Sequence, residues 1–115
     1  MPSDCLFCRI VAGELPSSQV YADDYVVGIR DIAPQAPTHV LLITRKHIPS
    51  VRGVSPEDAD LMEKIRAAAV TLAEREGIAS DGFRMVVNTG RNGGQTVDHL
   101  HVHVLGGRPL QWPPG

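Results

Sequence analysis

Apolar and polar residues change rhythm several times along the chain, and each change marks an element. In the middle, Leu61, Ile65, Ala68 and Leu72 recur at three- and four-residue steps, the spacing of one helical face. Ahead of them Ser55 suits an N-cap, Pro56 the first helical position, and Glu57 and Asp58 the positive end of the helix dipole, while Gly77 supplies a stop. This pattern predicts one helix opening at Pro56 and ending before Gly77, with one face packed on a sheet. Two β-branched-rich runs precede it, 25–30 and 39–44, separated by a turn holding Pro34 and Pro37. Two more follow, 83–88 and 101–105, and between them residues 89–96 carry Gly90, Gly93 and Gly94 and read as a loop. A short helix is expected over residues 5–12. Strands in adjacent pairs around one long helix predict an α+β fold built on an antiparallel β-sheet. The tail from Arg108 to Gly115 holds three prolines, cannot extend a sheet, and is expected to cross a surface or dock on a partner.

Composition narrows this picture without naming an activity. At 115 residues and 43% hydrophobic, the chain fits one domain over 1–115 with its own core. A net charge of −2 and scattered Lys and Arg argue against a nucleic-acid partner. No apolar run approaches the roughly 20 residues of a membrane span. The opening Met1-Pro2-Ser3-Asp4-Cys5 lacks a basic stretch leading into an apolar one, so no secretory leader is expected and the cytoplasm is the default location. Cys5 and Cys8 are the only cysteines. In a reducing compartment such a pair binds metal or does redox chemistry more often than it forms a structural disulfide.

The chemistry concentrates in His99-Leu100-His101-Val102-His103-Val104-Leu105. On a strand, alternate side chains share a face, so three imidazoles line one side while Leu100, Val102 and Val104 face the core. Neighbouring rings then stand about 6.5–7 Å apart along the strand and can address adjacent atoms of one ligand. Histidine suits proton exchange and nucleophilic attack at neutral pH, yet His-x-His is also a frequent metal-ligand pair. The preceding loop tips the balance toward phosphate chemistry. Glycines let backbone N–H groups approach an anion, and Thr96 adds a hydroxyl donor.

The run from Asn88 through Gly93, Gln95 and Val97 to His99–Gly106 resembles the signature of the histidine triad nucleotide-binding (HIT) family. Gly106-Gly107-Arg108, the ending Trp112-Pro113-Pro114-Gly115, Asp31–His39 and Arg45-Lys46-His47-Ile48-Pro49 are similar to its Hint branch. The resemblance spans nearly the whole chain and implies a HIT-like fold and a purine nucleoside phosphoramidase, cleaving AMP-amine or acyl-AMP conjugates. It implies that His101 attacks the α-phosphorus and forms a nucleotidyl-histidine, with an acceptor, expected to be a backbone carbonyl, holding its other ring N–H. His103 would assist charge and proton handling, and His39 would lie close to the nucleophile. Asn88, the Gly94 N–H and Thr96 would hold phosphate oxygens; many relatives carry Ser in place of Thr96. Asp31 would accept the ribose hydroxyls, and Leu6, Phe7, Ile10, Ile29, Ile32 and Leu41 would wall the base. Cys5, Cys8, His47 and His99 match a structural zinc set found in bacterial relatives. The tail implies a homodimer in which Trp112 reaches the partner's site. Two other readings fit the motif: a dinucleoside polyphosphate hydrolase of the Fhit branch, and a nucleotide-binding scaffold with little catalysis. The terminal Trp-Pro-Pro-Gly and Gly106-Gly107 favour the Hint branch over the first.

Overall fold

The computed structural model describes residues 4–115. Five strands form one antiparallel sheet: β1 (Gln19–Ala22), β2 (Val26–Arg30), β3 (Thr38–Thr44), β4 (Phe83–Val86) and β5 (His101–Gly106), in spatial order β1-β2-β3-β5-β4. A short helix α1 (Leu6–Val11) precedes the sheet, and the long helix α2 (Leu61–Arg75) joins β3 to β4. This is the α+β arrangement that the hydrophobic pattern predicts.

β3 is central, and all seven of its residues are buried, which is why Val40 to Ile43 read as a continuous apolar run. One of its faces carries Val40 and Leu42, which join Val26, Val102 and Val104 under the α2 stripe of Leu61, Ile65, Ala68, Ala69, Leu72 and Ala73. The alanines let helix and sheet approach closely. Each large aliphatic side chain buried there stabilises the fold by about 1.5–3 kcal/mol. The opposite face carries a smaller cluster of Phe7, Val27, Ile29, Leu41 and Ile43. Register decides what else shares that second face: Leu41 pairs with His103 and Ile43 with His101, so both imidazoles emerge on it.

Several boundaries differ from the sequence expectation. Pro56–Asp58 forms a separate 3-10 turn, and α2 starts only at Leu61. Ser55 does not cap backbone N–H groups; its hydroxyl donates to the carboxylates of Glu57 and Asp58, and Asp58 also accepts from Lys46 Nζ at 2.7 Å. At the other end Gly77 takes φ +74°, its N–H reaches the Glu74 carbonyl, and the Ile78 N–H reaches that of Ala73, a Schellman closure that only glycine adopts cheaply. β4 stops at Val86 rather than residue 88; β5 begins at His101, where the 101–105 run predicts it, so His99 and Leu100 lie ahead of the strand that the three histidines would share. The edge strand β1 was not expected at all. No helix among the described residues is long and apolar enough to cross a membrane.

Candidate active site and metal centre

The described part of the sheet face opposite α2 gathers His39, His101 and His103. His101 is 7% exposed, and its Nδ1 lies 2.7 Å from the backbone carbonyl of His99. A carbonyl only accepts, so Nδ1 carries the proton and Nε2 holds the lone pair. No hydrogen-bond partner meets Nε2, and no buried side-chain nitrogen or oxygen among the described residues lacks one, so Nε2 opens to solvent. The acceptor expected for one ring nitrogen of His101 is thus the carbonyl two residues upstream.

His39 and His103 form a second unit. The Gln35 N–H donates to His39 Nδ1 at 3.0 Å, which leaves the His39 proton on Nε2. That nitrogen is 2.9 Å from His103 Nδ1 and 3.4 Å from Asp31 Oδ2. His103 Nδ1 therefore accepts, and its own proton sits on Nε2. Burial lowers the pKa of both rings; for His103 the neighbouring His101 and His39 add to this, while Asp31 opposes it at both. His39 thus touches His103 directly. Asp31 is itself fixed, its Oδ1 accepting from the Ala33 N–H at 2.8 Å.

His99 belongs to a different group. It is fully buried, and its Nδ1 faces Cys5 Sγ at 3.3 Å, Cys8 Sγ at 3.6 Å and His47 Nδ1 at 3.1 Å; Cys8 Sγ is 3.2 Å from His47 Nδ1. The four donor atoms lie within 4.8 Å of one another. Zinc bonds of about 2.0–2.1 Å to nitrogen and 2.3 Å to sulfur give tetrahedral edges of about 3.3–3.8 Å, close to these separations. His99 Nε2 is 2.7 Å from the Thr44 carbonyl, which holds the proton there and turns the Nδ1 lone pair into the cluster. Without a cation, burial first and then Cys5 push the Cys8 thiol up to about 11, so a positive charge is what would hold it as thiolate. The residues fit a metal ion.

Local structure explains the assembly. Cys5 caps α1 and Cys8 lies within it, so one short helix delivers both thiols. A cavity of about 550 Å³ lined by Asp4, Cys5, Leu6, His47, Thr96, Val97 and Asp98 opens onto the cluster.

The remaining expected residues are placed less uniformly. Phe7, Ile29 and Leu41 form one apolar cluster with Ile10 packed against it. Leu6 is 46% exposed, and Ile32 is wholly exposed and outside the cluster. Asn88 is half-buried just past β4, and Thr96 is exposed in the cavity beside Cys5 and His47. The Gly94 N–H is already bonded to the Arg91 carbonyl at 3.1 Å, so giving it to a phosphate requires that turn to open. Trp112 is 79% exposed. Two residues had no assigned role in the sequence reading. Gln95 ties the glycine loop together, accepting from the Gly90 N–H and donating to the Pro49 and Val97 carbonyls. Gln35 offers its N–H to His39 while its carbonyl accepts two bonds from Arg108, at 2.8 and 3.2 Å. Gln95 lies inside the recognised motif, but Gln35 acts through its backbone and has no side-chain signal.

Comparison with known proteins agrees with this geometry. The HIT domain matches residues 12–110. A protein of Escherichia coli K12 named purine nucleoside phosphoramidase is 49% identical over 110 residues, covering 96% of this chain and 92% of its own. The crystal structure of a HIT family hydrolase from Legionella pneumophila superposes with a TM-score of 0.95 at 46% identity, covering 97% of this chain and 100% of that one. A zinc-bound histidine triad family protein from Mycobacterium smegmatis superposes with a TM-score of 0.77 at 33% identity, covering 91% of this chain and 76% of that one. The chain belongs to the HIT domain family.

Proposed function

We propose that this HIT-family hydrolase is a purine nucleoside phosphoramidase working through a covalent nucleotidyl-histidine. The single observation that carries the reading is the His101 ring: Nδ1–H is fixed on the His99 carbonyl, and the unprotonated Nε2 is the nitrogen left open. Nε2 attacks the α-phosphorus, the P–N bond breaks, and the nitrogen departs as the amine with one added proton, which the water of the second step restores. Water then cleaves the new P–Nε2 bond and releases the nucleoside monophosphate, one hard displacement becoming two easier ones. His103, with its proton on Nε2, donates a hydrogen bond toward the departing group, and His39 keeps it in that state. Asn88, Gly94 and Thr96 hold phosphate oxygens as charge develops. Asp31 takes the ribose hydroxyls. Phe7, Ile10, Ile29 and Leu41 wall the base, with the exposed Leu6 and Ile32 at its rim.

Zinc on Cys5, Cys8, His47 and His99 is structural in this reading: a closed set of four ligands leaves no position for substrate. The likeness to a zinc-bound relative and the donor spacing support it. The single domain over 1–115 acts in the cytoplasm as a homodimer, with the exposed Trp112 meeting the partner's site, and with neither nucleic acid nor membrane as its partner.

The test is His101→Ala on adenosine 5′-phosphoramidate. The variant binds AMP and does not turn over, while the wild-type protein, quenched in mid-reaction, carries an adenylyl group on His101. Turnover by the variant at the wild-type rate, or faster wild-type hydrolysis of a diadenosine polyphosphate than of the phosphoramidate, rejects the assignment.

A further inference from the structure

Phe7 is 4% exposed, and its ring is steeply inclined to two imidazoles. It meets His101 at 4.9 Å between centroids with an 86° interplanar angle, and His99 at 6.0 Å and 71°. Its position is set by α1, which begins at the Cys5 cap and contains Cys8. Phe7 therefore sits between two thiols whose donor atoms meet those of His47 and His99. His99 in turn supplies the carbonyl that holds His101 Nδ1–H. Two physical paths run from the cluster to the nucleophile, one through the His99 backbone and one through the Phe7 ring.

We propose that Phe7 is a positioning residue for His101, and that it and the His99 carbonyl couple metal occupation of the Cys5–Cys8–His47–His99 cluster to the order of the nucleophile's imidazole. This rests on reading His101 as the nucleophile and the cluster as a metal site. The carbonyl bond sets the direction of Nδ1, and the Phe7 ring packed against it stops the imidazole from turning out of line. A metal that ties both ends of the first turn of α1 to the sheet seats Phe7; losing it frees the helix and the ring together. Such coupling is reciprocal, so a ligand that holds His101 in its productive pose also retains the metal.

The experiment follows metal release from the zinc-loaded protein to a coloured chelator, which reaches the cluster through the cavity beside Cys5 and His47. Release is timed with and without AMP, at concentrations that calorimetry shows to saturate. In the wild-type protein AMP slows release about fivefold or more. In Phe7→Leu, with AMP again at a concentration shown to saturate the variant, that effect falls below about twofold, and kcat drops in addition to any rise in KM from the altered base wall. In parallel, the Nδ1–H proton resonance of His101 is sharp in the loaded wild-type protein and broadens after chelation, a readout that needs no variant to fold. Equal release rates with and without AMP in the wild-type protein overturn the proposal, as does Phe7→Leu with an undiminished AMP effect. A protein that takes up no metal overturns it together with the metal assignment, and elemental analysis identifies that case before any chelator is added. If His101→Ala instead hydrolyses normally, the nucleophile reading fails while the linkage between AMP and metal remains measurable in the wild-type protein.

Discussion

His39 and His103 are joined Nε2 to Nδ1 across 2.9 Å, and the backbone N–H of Gln35 decides the direction of that bond. A main-chain N–H cannot reverse its role, so His39 is a donor toward His103, and His103 keeps its proton on the nitrogen away from His39. The same logic speaks against a metal ion on Asp31, His39 and His103, although their donor atoms lie within 4.8 Å of one another. Binding through His39 Nε2 would move its proton to Nδ1, directly against the Gln35 N–H.

Removing the His39 donor is therefore expected to lower turnover without abolishing substrate binding. For His39→Ala the expected fall in kcat is about 100-fold, the scale of a misplaced catalytic group. His39→Gln, whose amide can still donate, recovers part of it. Nitrogen-15 shifts of His103 give the independent check. Its Nδ1 has the signature of a bare ring nitrogen in the wild-type protein and moves toward a mixed tautomer in His39→Ala. An unchanged shift would sink the tautomer argument whatever the rate does.

Acid sensitivity follows from the same pair. His39 faces Asp31 and His103, and His103 faces His101 and His39; burial leads the lowering of both pKa values. As pH falls below about 6.5, the unfolded chain takes up these protons before the folded one, so stability rises with pH across that window. The contribution is fully present above the unfolded value and is lost as pH drops toward the folded ones. Urea midpoints measured from about pH 8 down to about pH 5 should fall, and His39→Gln should fall less steeply because one of the two groups is gone. Parallel curves for the two proteins would refute the assignment.

The metal cluster makes a separate prediction about stability. Cys8 is 3% exposed, and its thiol lies 3.2 Å from His47. Cys8→Ala should lower the metal content from about one ion per chain to near none. The wild-type melting temperature should fall on chelation, and that of Cys8→Ala should not respond. A wild-type protein whose melting ignores the chelator would show that the cluster stabilises without metal.

Gly93 tests the proposed phosphate role of the glycine loop through sterics alone. A Cβ there would collide with the Thr89 carbonyl oxygen and stand 2.8 Å from the Thr89 nitrogen, so the backbone after Asn88 must shift. Residues 90–94 are exposed, so the loop can take up the shift at a cost of about 0.5–3 kcal/mol of stability with the fold intact. AMP affinity should nevertheless fall about tenfold, equivalent to about 1.4 kcal/mol. Gly93→Ala with wild-type affinity would remove the loop from the binding site.

How far the sequence could be read depended on where each residue's partners lie. α2, β2 and β3 bury periodic apolar residues against one another, and their patterns announce them. β1 offers Val20 and Tyr21, half-buried on an edge strand with an irregularity between Gln19 and Tyr21, too little to stand out. Ser55 has the chemistry of a cap, but two nearby carboxylates claim its hydroxyl. The spacing of the three histidines is that of a single strand, yet His99 lies ahead of β5 because its Nδ1 meets Cys5, Cys8 and His47 and its Nε2 meets the Thr44 carbonyl. The motif resemblance anticipated that split, which periodicity could not. Among the expected base-wall residues, Ile32 is fully exposed and lies outside the Phe7 cluster.

Gln35 is held at both of its main-chain polar groups, by His39 on one side and by Arg108, where the tail begins, on the other. Its own amide reaches no further than the Ala33 carbonyl. Exchange of that side chain for almost any other leaves both bonds standing, so drift at this position is silent. Proline is the exception, because it deletes the N–H. Here the place in the chain matters and the letter written there does not, and a scan of side-chain truncations would pass over it.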